Sequence, residues 1–265
     1  MGLEDYTSLT FERPREGVLL MLLDRPEQLN ATDGRMHTEL SRVWRDVADD
    51  TQARVVVLAG RGRAFCSGGD LDLVARQAGD FDLVVAAMDE AAAIVRGVLD
   101  CPKPVVSAVH GAAYGAGLAL ALLADISVVA EDARLGDGHV RLGIAAGDHA
   151  VLLWPLLCGM AKAKYHLLTG APLDGREAER IGLVSTCVPA DQVLDRALEI
   201  AGGLAESSPT AVRWTRSTLN HWYRAAAPAF EASLALEMLG FFGPDLPEGL
   251  ARLEAARQRS AEPPT

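Results

Sequence analysis

The stretch GDGHVRLGIAAGDHA, residues 136–150, sets two histidines and two aspartates among glycines, alanines and aliphatic residues. Imidazole titrates near neutral pH and acts as a general base, while a carboxylate beside it orients the ring and stabilises its cation. His139 and Asp148 are therefore the first candidates for proton transfer. Two short glycine loops, CSGGD at 66–70 and YGAG at 114–117, offer a complementary chemistry, each following an apolar run and preceding a helical one. At such a turn free backbone N–H groups converge near the positive end of a helix dipole, which suits an anion or an oxyanion. Neither loop has the G-x-x-x-x-G-K-[ST] spacing, no G-x-G-x-x-G follows the first strand, and no G-x-S-x-G elbow is present,. Nucleotide hydrolysis and serine-esterase chemistry are disfavoured.

The same residues have plainer readings. His139 can serve as a loop histidine bonded to a carbonyl, and Asp148 as the cap of the helix that begins at HAVLLW. His149 and Asp137 read as solvated loop residues, Asp70 as the cap of the helix after the first glycine loop, and His110 as a satisfied core or interface histidine.

These residues need a frame, and the pattern around them predicts an α/β one. GVLLMLLD, ARVVVLAG, VVSAVHG and ISVVAED read as buried strands,. Between them lie helical segments. Leu40, Val43, Trp44 and Val47 share one helical face, with Thr32 or Asp33 as the cap, and residues 81–99 form another helix stopped by CPKP,. Strands alternating with helices predict parallel units covered on both faces. Beyond residue 190 the signals are helical only, including a helix capped by Ser208 with Pro209 at its first position,. Residues 1–204 are assigned to the core and 205–265 to a helical C-terminal extension.

Composition narrows the partners. Apolar residues make up 49% of the 265, enough for a sizeable core,. The net charge of −11 argues against nucleic acid as a partner,. No apolar run reaches the length of a membrane span, and the acidic N-terminal stretch lacks the pattern of a signal peptide, so a cytoplasmic protein is expected. Cys66, Cys101, Cys158 and Cys187 are far apart and include no C-x-x-C pair, which disfavours structural zinc or a disulfide framework; Cys66 reads as a buried thiol,. The His and Asp spacing matches no common metal-ligand set, and no metal is expected.

Several stretches together carry a family resemblance: DRPEQLNAT, VVVLAGRGRAFCSGGDL, KPVVSAVHGAAYGAGLALALLADI, LTGAPLDGREAERIGLV and LPEGLARLEAARQ. In that order and spacing, from about residue 18 to residue 257, the chain resembles the crotonase (enoyl-CoA hydratase/isomerase) superfamily. The resemblance implies a crotonase-like spiral of ββα units with a helical C-terminal trimerisation region, acting as a homotrimer or homohexamer. It also implies acyl-CoA or a related small molecule as substrate, with coenzyme A as part of the substrate and no separate cofactor. The oxyanion hole falls at the N–H groups of Gly69 and Ala116. Substrate and CoA contacts fall at Ala64, Ser67, Gly68, Asp70, Leu71 and Gly115, with Arg25, Arg61 and Arg63 as basic candidates. At the usual C-terminal lysine this chain has Ala256-Arg257.

The chain departs from the family at the catalytic positions. Hydratases of the superfamily use two glutamates; the first position is Ala119 here and the second is His139. A His/Asp pair at positions 139 and 148 is similar to that of 6-oxocamphor hydrolase, a relative that cleaves a C–C bond in a cyclic β-diketone, and Glu237 matches a contributing glutamate of that enzyme. Three expectations follow. The first is an acyl-CoA enzyme that stabilises an enolate, with His139 and Asp148 replacing the glutamate pair. The second is a retro-Claisen C–C hydrolase of a β-dicarbonyl. The third is a crotonase-fold binding protein without catalysis.

Overall fold

The computed structural model describes the backbone of residues 2–261 and the side chains of residues 2–255. The chain opens with an antiparallel hairpin, β1 (Leu9–Arg15) and β2 (Val18–Leu23), and α1 (Gly34–Asp49) leads to β3 (Val55–Gly60). Next come α2 (Leu71–Gln77), α3 (Phe81–Asp100), β4 (Val105–Val109) and β5 (Ala112–Tyr114). α4 (Ala116–Leu123), β6 (Ile126–Ala130), β7 (Arg134–Gly136) and α5 (His139–Leu142) follow. The last strand, β8 (Thr186–Val188), comes after α6 (Ala150–Thr169) and α7 (Gly175–Arg180). The remaining described elements are helical: α8 (Val193–Glu206), α9 (Pro209–Leu219), α10 (His221–Ala225), α11 (Ala227–Gly240) and α12 (Asp245–Ala261).

The main sheet runs β1-β2-β3-β4-β6-β8, and every pair after the hairpin is parallel. β2, β3 and β4 are buried at every position, as parallel strands covered on both faces must be,. A second, two-stranded parallel sheet pairs β5 with β7. α1 behaves as its periodicity predicts: Asp33 caps it by accepting from the Met36 N–H, and Leu40, Val43, Trp44 and Val47 are all buried. Among the described residues no helix is long and apolar enough to cross a membrane.

Two buried polar side chains tie loops and helices that hydrophobic contact alone would leave free to shift. Asn30, with φ of 55°, receives the Arg25 N–H on its Oδ1 at 2.8 Å. Its Nδ2 reaches the carbonyls of Arg61, Ala64 and Phe65 at 2.8–3.1 Å, so the DRPEQLNAT loop is clamped to the chain leading into the first glycine loop. Arg216 of α9 donates to Asp125 at 2.7 Å and to the carbonyls of Val98, Leu99 and Cys101 at the end of α3. That guanidinium satisfies the carbonyls a helix end leaves unpaired and docks the C-terminal helices on the core.

Candidate active site

The two glycine loops are fastened to each other through backbone. Cys66 N–H donates to the Ala112 carbonyl at 3.0 Å, and Tyr114 N–H returns a bond to the Cys66 carbonyl at 3.1 Å. Gly117 is required by this contact, since a Cβ there would sit 2.4 Å from the Cys66 carbonyl oxygen and 2.9 Å from its Sγ. Thr32 ties the first loop to the start of α1, accepting from Asp70 N–H and donating its own N–H to Gly68. Gly69 and Ala116 are left with N–H groups that have no acceptor among the described residues, and both line one cavity of about 1040 Å³. Ala116 is the first residue of α4, so its N–H is one of that helix's free donors,.

The opposing wall is charged. β7 ends at Gly136, and the chain enters α5 with the Asp137 carboxylate accepting from both the backbone N–H and the ring Nδ1 of His139, at 2.9–3.1 Å. Nδ1 therefore carries a proton, and Nε2 is the end directed at the cluster. Glu237 Oε1 lies 3.5 Å and Asp148 Oδ2 3.8 Å from Nε2. His149 donates its Nδ1–H to the other oxygen of Asp148. The side chains of Asp137, His139, His149 and Glu237 are all buried. α11 supplies Glu237, and Gly147 allows the loop to lie against it: a Cβ at 147 would meet the Ser233 carbonyl at 2.3 Å and Glu237 Cβ at 2.6 Å. Ser233 Oγ fixes the contact with a bond to the Gly147 carbonyl.

The electrostatics follow from that crowding. Burial pulls the His139 pKa down, but the charges of Asp137, Asp148 and Glu237 and the Asp137 hydrogen bond outweigh it and hold it well above the ordinary imidazole value. The surrounding carboxylates thus favour the imidazolium form of His139. Burial would raise Asp148, yet the imidazoles of His149 and His139 hold it below the usual carboxylate range; Asp137 is lowered against the same burial cost, chiefly by His139. Glu237 goes the other way: burial raises it, and the two neighbouring aspartates add to the rise against the pull of His139. Its Oε2 is buried without a hydrogen-bond partner. His139, Asp148 and Glu237 also place three ligand atoms within 4.8 Å of one another, as do Asp137, Asp148 and His149. A protonated imidazole has no lone pair to give, so any cation there competes with the His139 proton.

The structure brings His139, Asp148 and Glu237 to the cavity wall, with Ser67, Gly68, Gly69, Leu71, Gly115, Ala116 and Arg63. Other sequence candidates lie elsewhere. Arg25 is paired with Asp33 at 3.2 Å and Asp70 at 3.8 Å, and Arg61 with Asp24 and Glu12, so these guanidiniums are engaged within the protein. Ala64 is buried and gives its carbonyl to Asn30. Asp70 caps α2 by accepting from the Asp72 N–H, as expected. The side chains of Ala256 and Arg257 lie outside the described residues. Half-buried His110 bonds the Gly62 carbonyl at 2.8 Å.

Three plain readings of the 136–150 stretch are corrected. Asp137 and His149 are buried rather than solvated, because each has a partner inside the loop that offsets the cost of leaving water,. Asp148 does not cap α6: His149 holds the N-cap position without a side-chain cap, and the Asp148 carboxylate turns to the imidazoles instead. The carboxylate at Nδ1 of His139 is Asp137, two residues away, rather than Asp148. A D-x-H spacing was the signal available for it. His37 and Glu90, on α1 and α3, form a further pair at the cavity that no motif announced.

The fold of parallel strands followed by C-terminal helices is one that the comparisons with known proteins also find. The model of the enoyl-CoA hydratase/isomerase family matches residues 13–242. The chain belongs to the crotonase (enoyl-CoA hydratase/isomerase) superfamily. It is similar to the 2,3-dehydroadipyl-CoA hydratase of Escherichia coli (strain K12), 32% identical over 84% of this chain and 85% of that protein. Among solved structures, an enoyl-CoA hydratase/isomerase from Mycobacterium paratuberculosis matches with a TM-score of 0.88 and 33% identity, covering 93% of this chain and 98% of that one. A monofunctional enoyl-CoA isomerase from M. smegmatis matches at 0.70 and 31%, covering 85% and 98%. Ala119 presents only a methyl to the cavity, while His139, Asp148 and Glu237 bring titratable groups to it.

Proposed function

We propose that this protein binds an acyl-CoA thioester with its carbonyl oxygen on the N–H groups of Gly69 and Ala116, which stabilise the enolate, and that His139 and Glu237 move the protons. The observation that carries this reading is a buried His139 whose Nε2 lies 3.5 Å from Glu237, in the same cavity as two N–H donors that lack acceptors among the described residues. Two donors aimed at one oxygen are worth most in a water-poor site, where each contributes on the order of 3 kcal/mol to an oxyanion.

Because His139 rests protonated, it is the acid, and Glu237, the carboxylate with the raised pKa, is the base,. This assignment replaces the general-base role expected for His139. Asp137 holds the ring, and Asp148 stabilises its charge. In hydration, Glu237 takes a proton from water, the oxygen adds to the β-carbon, and His139 protonates the α-carbon. The proton on Glu237 then passes to His139, 3.5 Å away, and the site is restored.

A second reading is favoured by Ala119, which presents a methyl to the cavity where the family resemblance expects the first hydratase glutamate. In a 3-oxoacyl thioester or related β-dicarbonyl, hydroxide formed at Glu237 adds to the distant carbonyl. The C–C bond breaks, its electron pair becomes the enolate held by Gly69 and Ala116, and His139 protonates the carbon. The products are a carboxylic acid and a shortened carbonyl compound. Family membership supports a homotrimer or homohexamer as the working form, and exposed Trp214, Trp222, Leu236 and Leu239 on the C-terminal helices support self-association,.

The test is turnover of crotonyl-CoA, a 3-oxoacyl-CoA and a cyclic 1,3-diketone by wild type and His139→Gln. Turnover of one substrate, lost 10²- to 10⁴-fold in the variant with ligand binding intact, is the expected result, about the range for one acid–base group. Equal binding with no turnover in either protein overturns it and leaves a binding protein.

A further inference from the structure

α1 and α3 pack together and line part of the cavity, and most of that lining is apolar, with Leu40, Ala91, Ile94 and Val95. One pair interrupts it. His37 on α1 donates its Nδ1–H to Glu90 on α3 at 2.7 Å, and Thr38 Oγ1 donates to the other Glu90 oxygen at 2.6 Å. Burial would raise the Glu90 pKa, but the bonds from His37 and Thr38 hold it below the usual range, so Glu90 is a carboxylate and the His37 Nδ1 carries the proton,. Nε2 of His37 has no partner among the described residues, and His37 lines the cavity. A charge on His37 is felt at Asp148 across that space.

A second polar group shares the wall. Gln77, the last residue of α2, is 8% exposed, lines the cavity, and its amide makes no hydrogen bond among the described residues. Its body is buried while its amide atoms are open to the cavity, so the amide is free to bond a polar group that enters there,. Thr32 is bonded through its backbone to Gly68 and Asp70 of the first glycine loop, and His37 stands four residues beyond the Asp33 cap, a helix rise of roughly 6 Å,.

We infer that His37 and Gln77 form a second oxygen-binding site within the acyl chamber, and that the protein takes acyl groups bearing a ketone or hydroxyl rather than plain hydrocarbon chains. The Glu90 carboxylate beside His37 disfavours a substrate carboxylate at this site, which selects an uncharged oxygen. This inference rests on the acyl-CoA reading of the same cavity and narrows its substrate class. It also suits C–C cleavage, whose substrate carries a second carbonyl by definition.

The test is equilibrium binding of cyclohexanecarbonyl-CoA and its 2-, 3- and 4-oxo derivatives, by calorimetry. It is run on His139→Gln, in which turnover is removed, and on the same chain with His37→Phe, Gln77→Leu or Glu90→Gln added. One oxo isomer is expected to bind at least tenfold more tightly than the parent ring. That preference should collapse towards unity with His37→Phe and shrink with Gln77→Leu, while the affinity for the parent ring changes less than twofold. A purely structural His37–Glu90 clamp predicts lower thermal stability with the preference unchanged. That result, or equal binding of all four ligands, or binding of none, overturns the inference. The outcome is separate from catalysis: full activity of His139→Gln would sink the proposed mechanism and leave the oxo preference standing.

Discussion

The two walls of the cavity work in opposite ways. The glycine-loop wall offers backbone N–H groups, and its precision comes from close contact: Gly117 against Cys66, Gly68 against Tyr114, and a β-bridge between the loops. The charged wall does its chemistry with side chains drawn from 137 to 237, held by ion pairs and by Gly147 lying on α11. A backbone site tolerates changes of side chain so long as the main chain keeps its path. A side-chain site can be rewritten one residue at a time.

The comparison can be broken most sharply at Glu237. Glu237→Gln removes the base and one of the charges that keep His139 protonated, so turnover should fall at least 10²-fold, measured as kcat on whichever substrate is processed. Gly117→Ala strikes the other wall. Its methyl must push Cys66 away, which should lower stability by about 1–3 kcal/mol and kcat by a further order of magnitude or more, read by denaturant unfolding and kinetics. Equal kcat in Gly117→Ala and wild type would show that the two N–H groups need no fixed spacing.

Asp137→Asn sharpens the contrast through pH. A raised His139 pKa means that the acid form, and with it activity, is lost as pH rises through that value, above the ordinary imidazole range,. Removing the Asp137 charge lowers the pKa, so the alkaline limb of kcat should move to lower pH with only a modest fall at its plateau. The same linkage applies to folding: the His139 contribution is fully present below the unfolded imidazole pKa and is lost as pH rises through the folded one. The smallest expected effect is at Asp70, whose cap on α2 lies beside the oxyanion loop; Asp70→Ala should cost about 1 kcal/mol of stability,. A larger kcat loss there would mean that the cap also orients the Gly69 N–H.

The same division explains what was legible in the sequence. The parallel sheet showed in uninterrupted runs such as VVVLAG, and the two strand-to-helix turns in their glycines, because both are local properties of a short segment. His139 and Asp148 were visible as polar residues in an apolar stretch. Their partners were harder to see. Asp137 and His149 looked solvated because burial depends on what packs over the loop, and α11 arrives from ninety residues away. His37 was hidden on a helix face, since its meaning lies in Glu90, which spacing along the chain cannot disclose.

Gly147 seats the charged loop on α11, and that contact bears on how the enzyme comes into being. Synthesis runs from the N-terminus, so a nascent chain has both glycine loops long before it has Glu237. Until α11 docks, His139 lacks one of its anions and the loop has no surface to rest on. A half-made chain therefore carries the glycine loops without a finished charged wall: the last quarter of the polypeptide closes the cluster around His139.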